Sequence, residues 1–260
     1  MKTEKKRDLA VVIMAAGKGT RMKDPSKAKV MYELLGKPMI HYIVDLAYHL
    51  KADRVIVIVG YQREAVVKYI CKLYPRIEIA EQPEQLGTGH AMMQTETAVK
   101  DFYGDVIVLS GDVPLLTAKS MQQLIEYHLK TEAGATILTA HFDDPTGYGH
   151  IIRNNNNSVK KIVEHKDATD EERQVKEINS GIYIFDKQKL FEALQHITPH
   201  NVQKEYYLTD VFEYYWKHQW KVSALEIPDI DEIRGINTVE QLKEAETIKL
   251  ARSVHRSNQL

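Results

Sequence analysis

Leu9-Ala10-Val11-Val12-Ile13-Met14-Ala15-Ala16-Gly17-Lys18-Gly19 sets an apolar, β-branched run directly against a glycine-rich turn. Residues 9–14 offer no polar face, as expected of a strand covered on both sides of a sheet. Similar runs follow at 54–59 and 105–109. Between the first two, Ile40, Ile43, Val44, Ala47 and Leu50 recur at spacings of three and four. That is one face of a helix, with Pro38 near its start, where a fixed φ is tolerated. A second helical pattern covers 64–73 and stops before Pro75. Strand and helix in alternation predict a parallel sheet with right-handed crossovers.

The second half is patterned differently. Residues 135–141, 150–153, 160–163 and 177–185 are strand-like, with 154–157, an asparagine run, as a hairpin turn. Leu208, Val211, Phe212 and Tyr215 mark an amphipathic helix, and a last helix starts at Thr238 and runs into a polar tail. There is no repeat and no linker rich in proline, glycine or serine. The expected architecture is one α/β domain over 1–237, its second half β-rich and partly antiparallel, with 238–260 as a C-terminal helix and tail.

The turn at 17–22 admits several readings. A dinucleotide fingerprint requires glycine where Met22 stands, and a P-loop requires Gly-Lys-Ser/Thr after four intervening residues. A third possibility is a loop whose small residues let the backbone approach a nucleoside, while Lys18, Arg21 and Lys29 reach its phosphates. A tight turn with a solvated basic rim is the plain alternative. Ligands of open α/β sheets bind at the carboxyl ends of the strands, where this turn falls.

Composition narrows the partners. The 260 residues are 43% hydrophobic and 27% charged, with a net charge of -1. Bulk electrostatics therefore gives no reason to expect nucleic acid or an acidic membrane, and a phosphate would have to be met by local cations. Cys71 is the only cysteine, so no internal disulfide can form and a reducing compartment is expected. The 9–14 run is too short to span a bilayer and no cleavage site follows it. A cytoplasmic location is the expectation; an oligomer is possible but nothing in the sequence implies one.

Several separated motifs resemble the sugar-1-phosphate nucleotidyltransferase family. Ala15-Ala16-Gly17-Lys18-Gly19-Thr20-Arg21-Met22, with Lys29-Val30 further on, is similar to the family signature. Glu84-Gln85-Leu86-Gly87-Thr88-Gly89-His90-Ala91 resembles the uridine-recognition segment of the branch that uridylylates N-acetylglucosamine 1-phosphate. Gly111-Asp112-Val113-Pro114-Leu115 looks like its metal-binding turn. Asp144-Pro145-Thr146-Gly147-Tyr148-Gly149, the segment from Glu164 to Glu171, and Glu177-Ile178-Asn179-Ser180-Gly181 are similar to its sugar-binding segments. The resemblance is collinear from Leu9 to about Leu242 and implies a Rossmann-like nucleotidyltransferase domain with a mostly parallel central sheet.

It also implies a reaction: a sugar phosphate oxygen attacks the α-phosphorus of UTP and expels pyrophosphate, with Mg²⁺ as cofactor. On this resemblance Asp112 and Asn237 are metal ligands, and Arg21 and Lys29 are cations on the phosphates, forming with Asp112 the catalytic set. Met14, Ala15, Ala16, Gly17, Gln82, Gln85, Gly87, Thr88 and Gly111 contact the nucleotide. Gly149, Glu164, Asn179 and Asn237 hold the sugar. Taken singly, several have blander readings: Asp112 a local turn, Asn237 and Thr88 helix caps, Glu164 a solvated charge, Asn179 a turn residue. The nucleophile is ionised at neutral pH, so chemistry alone requires no general base, and none of the 11 histidines needs a catalytic role. Tyr214, Tyr215 and Trp216 are expected in core and surface positions, and 170–176 as a solvated loop over the sugar.

The sequence departs from the family pattern in four ways. Ala28 stands where proline usually precedes the lysine, the loop from Arg21 to Lys29 is one residue longer, and Ser110 replaces a common tyrosine. Nothing resembling the hexapeptide-repeat acetyltransferase of bifunctional relatives follows, so acetyl transfer and trimerisation through that element are not expected. Glucose 1-phosphate is the alternative substrate. A catalytically silent nucleotide-sugar sensor is the alternative class, against which Lys29, Asp112 and Asn237 together argue.

Overall fold

The apolar run beginning at Leu9 lies in strand β1 (Asp8–Ala15), followed by β2 (Glu33–Leu34), β3 (Lys37–Pro38), β4 (Arg54–Val59), β5 (Glu78–Glu81) and β6 (Gly104–Ser110). The later strands are β7 (Ala135–His141), β8 (Gly149–Arg153), β9 (Val159–Val163), β10 (Glu177–Asp186) and β11 (Val222–Glu226). Helices are α1 (Met39–His49), α2 (Arg63–Leu73), α3 (Thr88–Met93) and α4 (Ala118–Thr131). They continue with α5 (Asp170–Arg173), α6 (Lys187–Leu194), α7 (Val211–Lys217) and α8 (Val239–Ser257). The computed structural model describes residues 7–19, 21–22, 24 and 26–257. Thr20 of the signature, Lys23 and Pro25 of the lengthened loop, the charged stretch before Arg7 and the end of the tail lie outside the described residues.

A nine-stranded sheet runs β11-β7-β10-β6-β1-β4-β5, with β8 branching from β10 and β9 from β8. β5, β4, β1 and β6 are parallel, β10 is antiparallel to both β6 and β7, and β11 is parallel to β7. The fold is therefore α/β with a mostly parallel central sheet, as the alternation predicts. β7 and β11 extend that sheet, β8 and β9 branch from it, and β2 and β3 pair as a separate hairpin.

Alternation along β1 explains why its sequence has no polar face. Val11, Ile13 and Ala15 pack with Ile40, Ile43, Val44 and Ala47 of α1 and Val66 and Ile70 of α2. Ala10 and Val12 face the other way, into a cluster with Met92, Leu190, Phe212 and Tyr215. Each valine or larger apolar side chain among these contributes on the order of 1.5–3 kcal/mol by leaving water. α8 lies over the β2–β3 hairpin, where Leu242 and Ala245 join Leu34, Met39, Leu115 and Ile236. Among the described residues, no helix is long and apolar enough to cross a membrane.

The expected loop at 170–176 contains a helical turn instead. Thr169 and Glu172 form a reciprocal capping box that nucleates α5. Tyr215 is fully buried, Tyr214 stacks on His196 and His218, and Trp216 is exposed, so none of the three forms a stacking platform in the cleft.

Register brings the carboxyl ends of β1, β4 and β6 together. Met14 pairs with Ser110 and Ala15 with Val59. Just beyond, the Gly111 N–H donates to the Met14 carbonyl at 3.0 Å and the Tyr61 N–H to the Ala16 carbonyl at 3.2 Å. At the opposite edge a Cβ on Gly104 would overlap the Asp8 carbonyl, where backbone meets backbone. Gly104→Ala should therefore destabilise the protein by about 2 kcal/mol, seen as a lower urea midpoint with unchanged slope. A midpoint equal to the parent's would mean that β1 and β6 can part there.

Candidate active site

At the carboxyl edge of the sheet lies a cleft of about 560 Å³. Met14, Ala15, Ala16, Gly17, Gln82, Gln85, Gly87 and Thr88 all line it, as do Lys29 and Asp112. Gly111 sits just behind, where a Cβ would come within 3.0 Å of the Met14 carbonyl oxygen and of Val30 Cγ1. Its lack of a side chain lets the turn after β6 close onto β1.

Four polar side chains converge at one end. The Lys29 ammonium donates to Asp112 Oδ2 and, at 2.7 Å, to Asn237 Oδ1. Arg21 donates to the same Asn237 oxygen at 2.8 Å. Two cations thus meet one carboxylate, and the local charge is positive. Asp112 also accepts the Ile236 N–H on its carbonyl at 2.9 Å, tying the segment before α8 to the turn after β6. A Cβ on Gly235 would lie 3.6 Å from Asp112 Oδ2 and from Asn237 Nδ2. Asn237 is free of capping duty, because Thr238 and Gln241 bond reciprocally at the start of α8. Ala28 has φ -59°, the angle proline would impose, so its departure from the family pattern leaves the backbone approach to Lys29 unchanged.

The loop from Gln82 to Gly89 owes its shape to the segment at 205–208. The Tyr206 N–H donates to Leu86 and the Gly89 N–H to Tyr206, at 2.8 and 2.7 Å. Gly87 has φ +110°, and a Cβ there would lie 2.5 Å from the Tyr206 carbonyl oxygen. The crowding at Gly87 and Gly89 therefore comes from protein backbone and Ile197, which the nucleotide reading of these glycines overlooks. Thr88 does not cap α3; its hydroxyl oxygen accepts the Leu208 N–H at 3.0 Å. Gln82 spends its amide nitrogen on the Gly87 carbonyl and on His90 Nδ1, at 3.0 and 3.1 Å. Its carbonyl oxygen is left to accept from a ligand.

Gly149, Glu164 and Asn179 also come together. Gly149 pairs with Asn179 across β8 and β10, and a Cβ on it would lie 3.5 Å from Glu164 Oε1. Asn179 precedes a bulge in β10, where Ser180 donates to Leu138 and Gly181 adopts φ +75°. Its amide donates to the Tyr183 hydroxyl at 2.7 Å. Burial raises the Glu164 carboxyl above its ordinary range and Asp167 adds to this, against a hydrogen bond from Thr209 at 3.1 Å. Glu164 is thus far from the solvated charge it resembles in isolation.

The sequence matches the Nucleotidyl transferase family over residues 10–230. The chain belongs to that family. It is 47% identical over 237 residues to the bifunctional protein GlmU of Geobacillus sp. (strain WCH70), covering 91% of this chain and 51% of the relative. To the bifunctional protein GlmU of Acetivibrio thermocellus it is 45% identical over 248 residues, covering 95% and 53%. The chain spans about half the length of these curated relatives. Among solved structures, UDP-glucose pyrophosphorylase complexed with UDP-glucose superposes with a TM-score of 0.75, covering 94% of this chain and 99% of that one. At 18% identity this likeness speaks to the fold alone.

In this nucleotidyl transferase, sequence reasoning passed over Glu205, which lines the cleft, and Thr209 and Asp210, which flank Glu164. The polar pair ahead of an apolar helix reads as a cap, yet Asp210 makes no side-chain cap bond. Burial instead pushes its carboxyl up to about 6 from 3.8, with repulsion from Glu164, Glu213 and Asp167. Between those values the folded chain keeps a proton that the unfolded chain has released, so stability falls as pH rises through the window. Asp210→Asn, equally good at a helix start, should raise stability at pH 8 by roughly 1 kcal/mol after allowing for solvent screening. The gain should vanish at pH 4, as thermal melts at both pH values would show. An equal gain at both would rule out the repulsion.

Proposed function

We propose that the protein transfers a uridylyl group from UTP to N-acetylglucosamine 1-phosphate, giving UDP-N-acetylglucosamine and pyrophosphate. The observation that carries this reading is the convergence of Lys29, Asp112 and Asn237 on one point of the cleft. The bifunctional GlmU relatives support the choice of reaction.

Asp112 Oδ2 and Asn237 Oδ1 both face the Lys29 ammonium, so the two oxygens already surround a cation. One carboxylate and one amide oxygen suit Mg²⁺, which takes few protein ligands and fills its other positions with phosphate and water. When bound there, Mg²⁺ would neutralise charge on the phosphates. Lys29 and Arg21, relieved of Asn237, would turn to the triphosphate oxygens. The side-chain oxygen of Gln82 and the amide of Gln85, both lining the cleft, would serve a uracil edge as acceptor and donor. Glu164 would accept from sugar hydroxyls, with Asn179 and the open side of Gly149 fixing the ring. The sugar phosphate oxygen forms a bond to the α-phosphorus as the α–β anhydride breaks, and the electron pair leaves with pyrophosphate. No proton need be removed from the nucleophile.

Pyrophosphate release from the two substrates should require a divalent ion and stop in excess EDTA. Asp112→Asn should lower kcat by roughly 3 kcal/mol or more, over a hundredfold, with the fold intact by circular dichroism. Turnover within about tenfold of the parent would remove Asp112 from the ligand set.

Glucose 1-phosphate is the competing acceptor. Ser110 is small, and a Cβ on Gly181 would lie 3.5 Å from its hydroxyl, so this wall is not filled by an aromatic ring. N-acetylglucosamine 1-phosphate should still be preferred. A ratio of kcat/KM above about 10², ~2.7 kcal/mol, marks an acetamido group held by buried donors, and a smaller ratio a wet pocket beside Ser110. A preference for glucose 1-phosphate in competition kinetics would transfer the assignment to that sugar.

A further inference from the structure

His150 and His165 each follow a proposed sugar contact in sequence, Gly149 and Glu164. They are distant along the chain but meet ring to ring, with centroids 5.2 Å apart. His150 has no solvent exposure and sits on β8 between Ile178 of β10 and Val163 of β9. Its Nδ1 is 2.8 Å from the Val175 carbonyl, which can only accept, so Nδ1 carries the hydrogen. A neutral imidazole then has a lone pair at Nε2, which lies 2.9 Å from His165 Nδ1. With the His150 ring neutral, the hydrogen of this contact comes from His165 Nδ1.

We infer that this ring-to-ring hydrogen bond positions the sugar end of the site by locking the Glu164 turn against strand β8. The inference rests on the sugar assignment proposed above. The turn is closed by the Asp167 N–H on the Glu164 carbonyl at 2.9 Å, and Arg173 donates to the His165 carbonyl at 3.2 Å. Those bonds fix the turn internally and to α5. Beside the strand pairing of Val163 with His150 and the Val202 N–H on Asp167 Oδ1 at 2.9 Å, the ring pair and the Thr209 hydroxyl are side-chain links that relate it to β8, which bears Gly149, and to the carboxylate itself. Neither ring needs to touch the sugar, and both act through Glu164 and Gly149.

The test compares His165→Ala, which removes the donor, with His165→Asn, whose amide N–H reaches about as far as Nδ1–H. Steady-state kinetics would give kcat and separate KM values for UTP and N-acetylglucosamine 1-phosphate, with circular dichroism as the folding control. His165→Ala should raise the sugar phosphate KM about tenfold and leave the UTP KM within about twofold, whereas His165→Asn should recover most of the loss. Loss of structure alone would move both KM values and would not be rescued selectively. An unchanged sugar KM in folded His165→Ala, equal shifts in both KM values, or no rescue by asparagine would overturn the inference while leaving the reaction standing. Absence of turnover in the parent with both substrates and Mg²⁺ would overturn the proposed function, and this inference with it.

Discussion

Strand β1 must be covered on both faces, and most of the architecture comes from meeting that requirement. Its alternate residues feed two separate clusters, so a slip of one position would exchange the two sets of packing partners. Parallel pairing with β4 and β6 forces the intervening chain to cross over as helices, which then supply the cover. All three strands consequently end at one edge, and the loops and turns that leave them there carry much of the polar lining of the cleft. Gly60 and Gly111 mark how tightly those exits are packed: a Cβ on either would come within about 3.0 Å of β1-side backbone.

The edge so formed gathers charge that the chain as a whole lacks. The net charge is -1, yet Arg21 and Lys29 share the Asn237 oxygen beside a single carboxylate, Asp112. Screening limits such a field to roughly 8 Å at physiological salt, so it would act on an anion inside the cleft and hardly beyond it. Three segments remote in sequence build it: the loop after β1, the turn after β6 and the stretch before α8. The Asp112–Ile236 backbone bond holds the last two in register, so the spacing of the two oxygens is set by main chain.

Where the sequence was legible, local pattern and tertiary demand agreed. β1, β4 and β6 were visible because burial on both faces leaves an uninterrupted apolar run. β5 and β11 were not, since edge strands with glutamate at their ends carry too little pattern. α4 buries Met121, Leu124 and His128 on one face, and the histidine breaks the apolar stripe that would have marked it. In the site, motifs singled out residues that line the cleft, but the partners of those residues were hidden. Gly87 and Gly89 look like an approach path for a ligand until the Tyr206 backbone is seen against them. Thr209 beside Glu164, and His150 beside His165, are pairings across 45 and 15 residues that no local spacing announces.

The surroundings of Glu164 show why such pairings matter. Glu164 is mostly buried and faces Asp167 and Asp210, so acids whose ionised forms repel stand side by side. A buried carboxylate is tolerated in proportion to the donors it finds, and here the donor found is the Thr209 hydroxyl. On the sugar reading, ring hydroxyls would supply further donors, and the repulsion among these acids would favour ligands that bring them. A ligand lacking a hydroxyl at that position would bury the carboxylate without relief, which is the condition under which hydrogen-bonding sites discriminate strongly. On that reading, the cost of holding these acids and any selectivity for hydroxyl-bearing ligands would have one cause: acids placed where water can no longer solvate them fully.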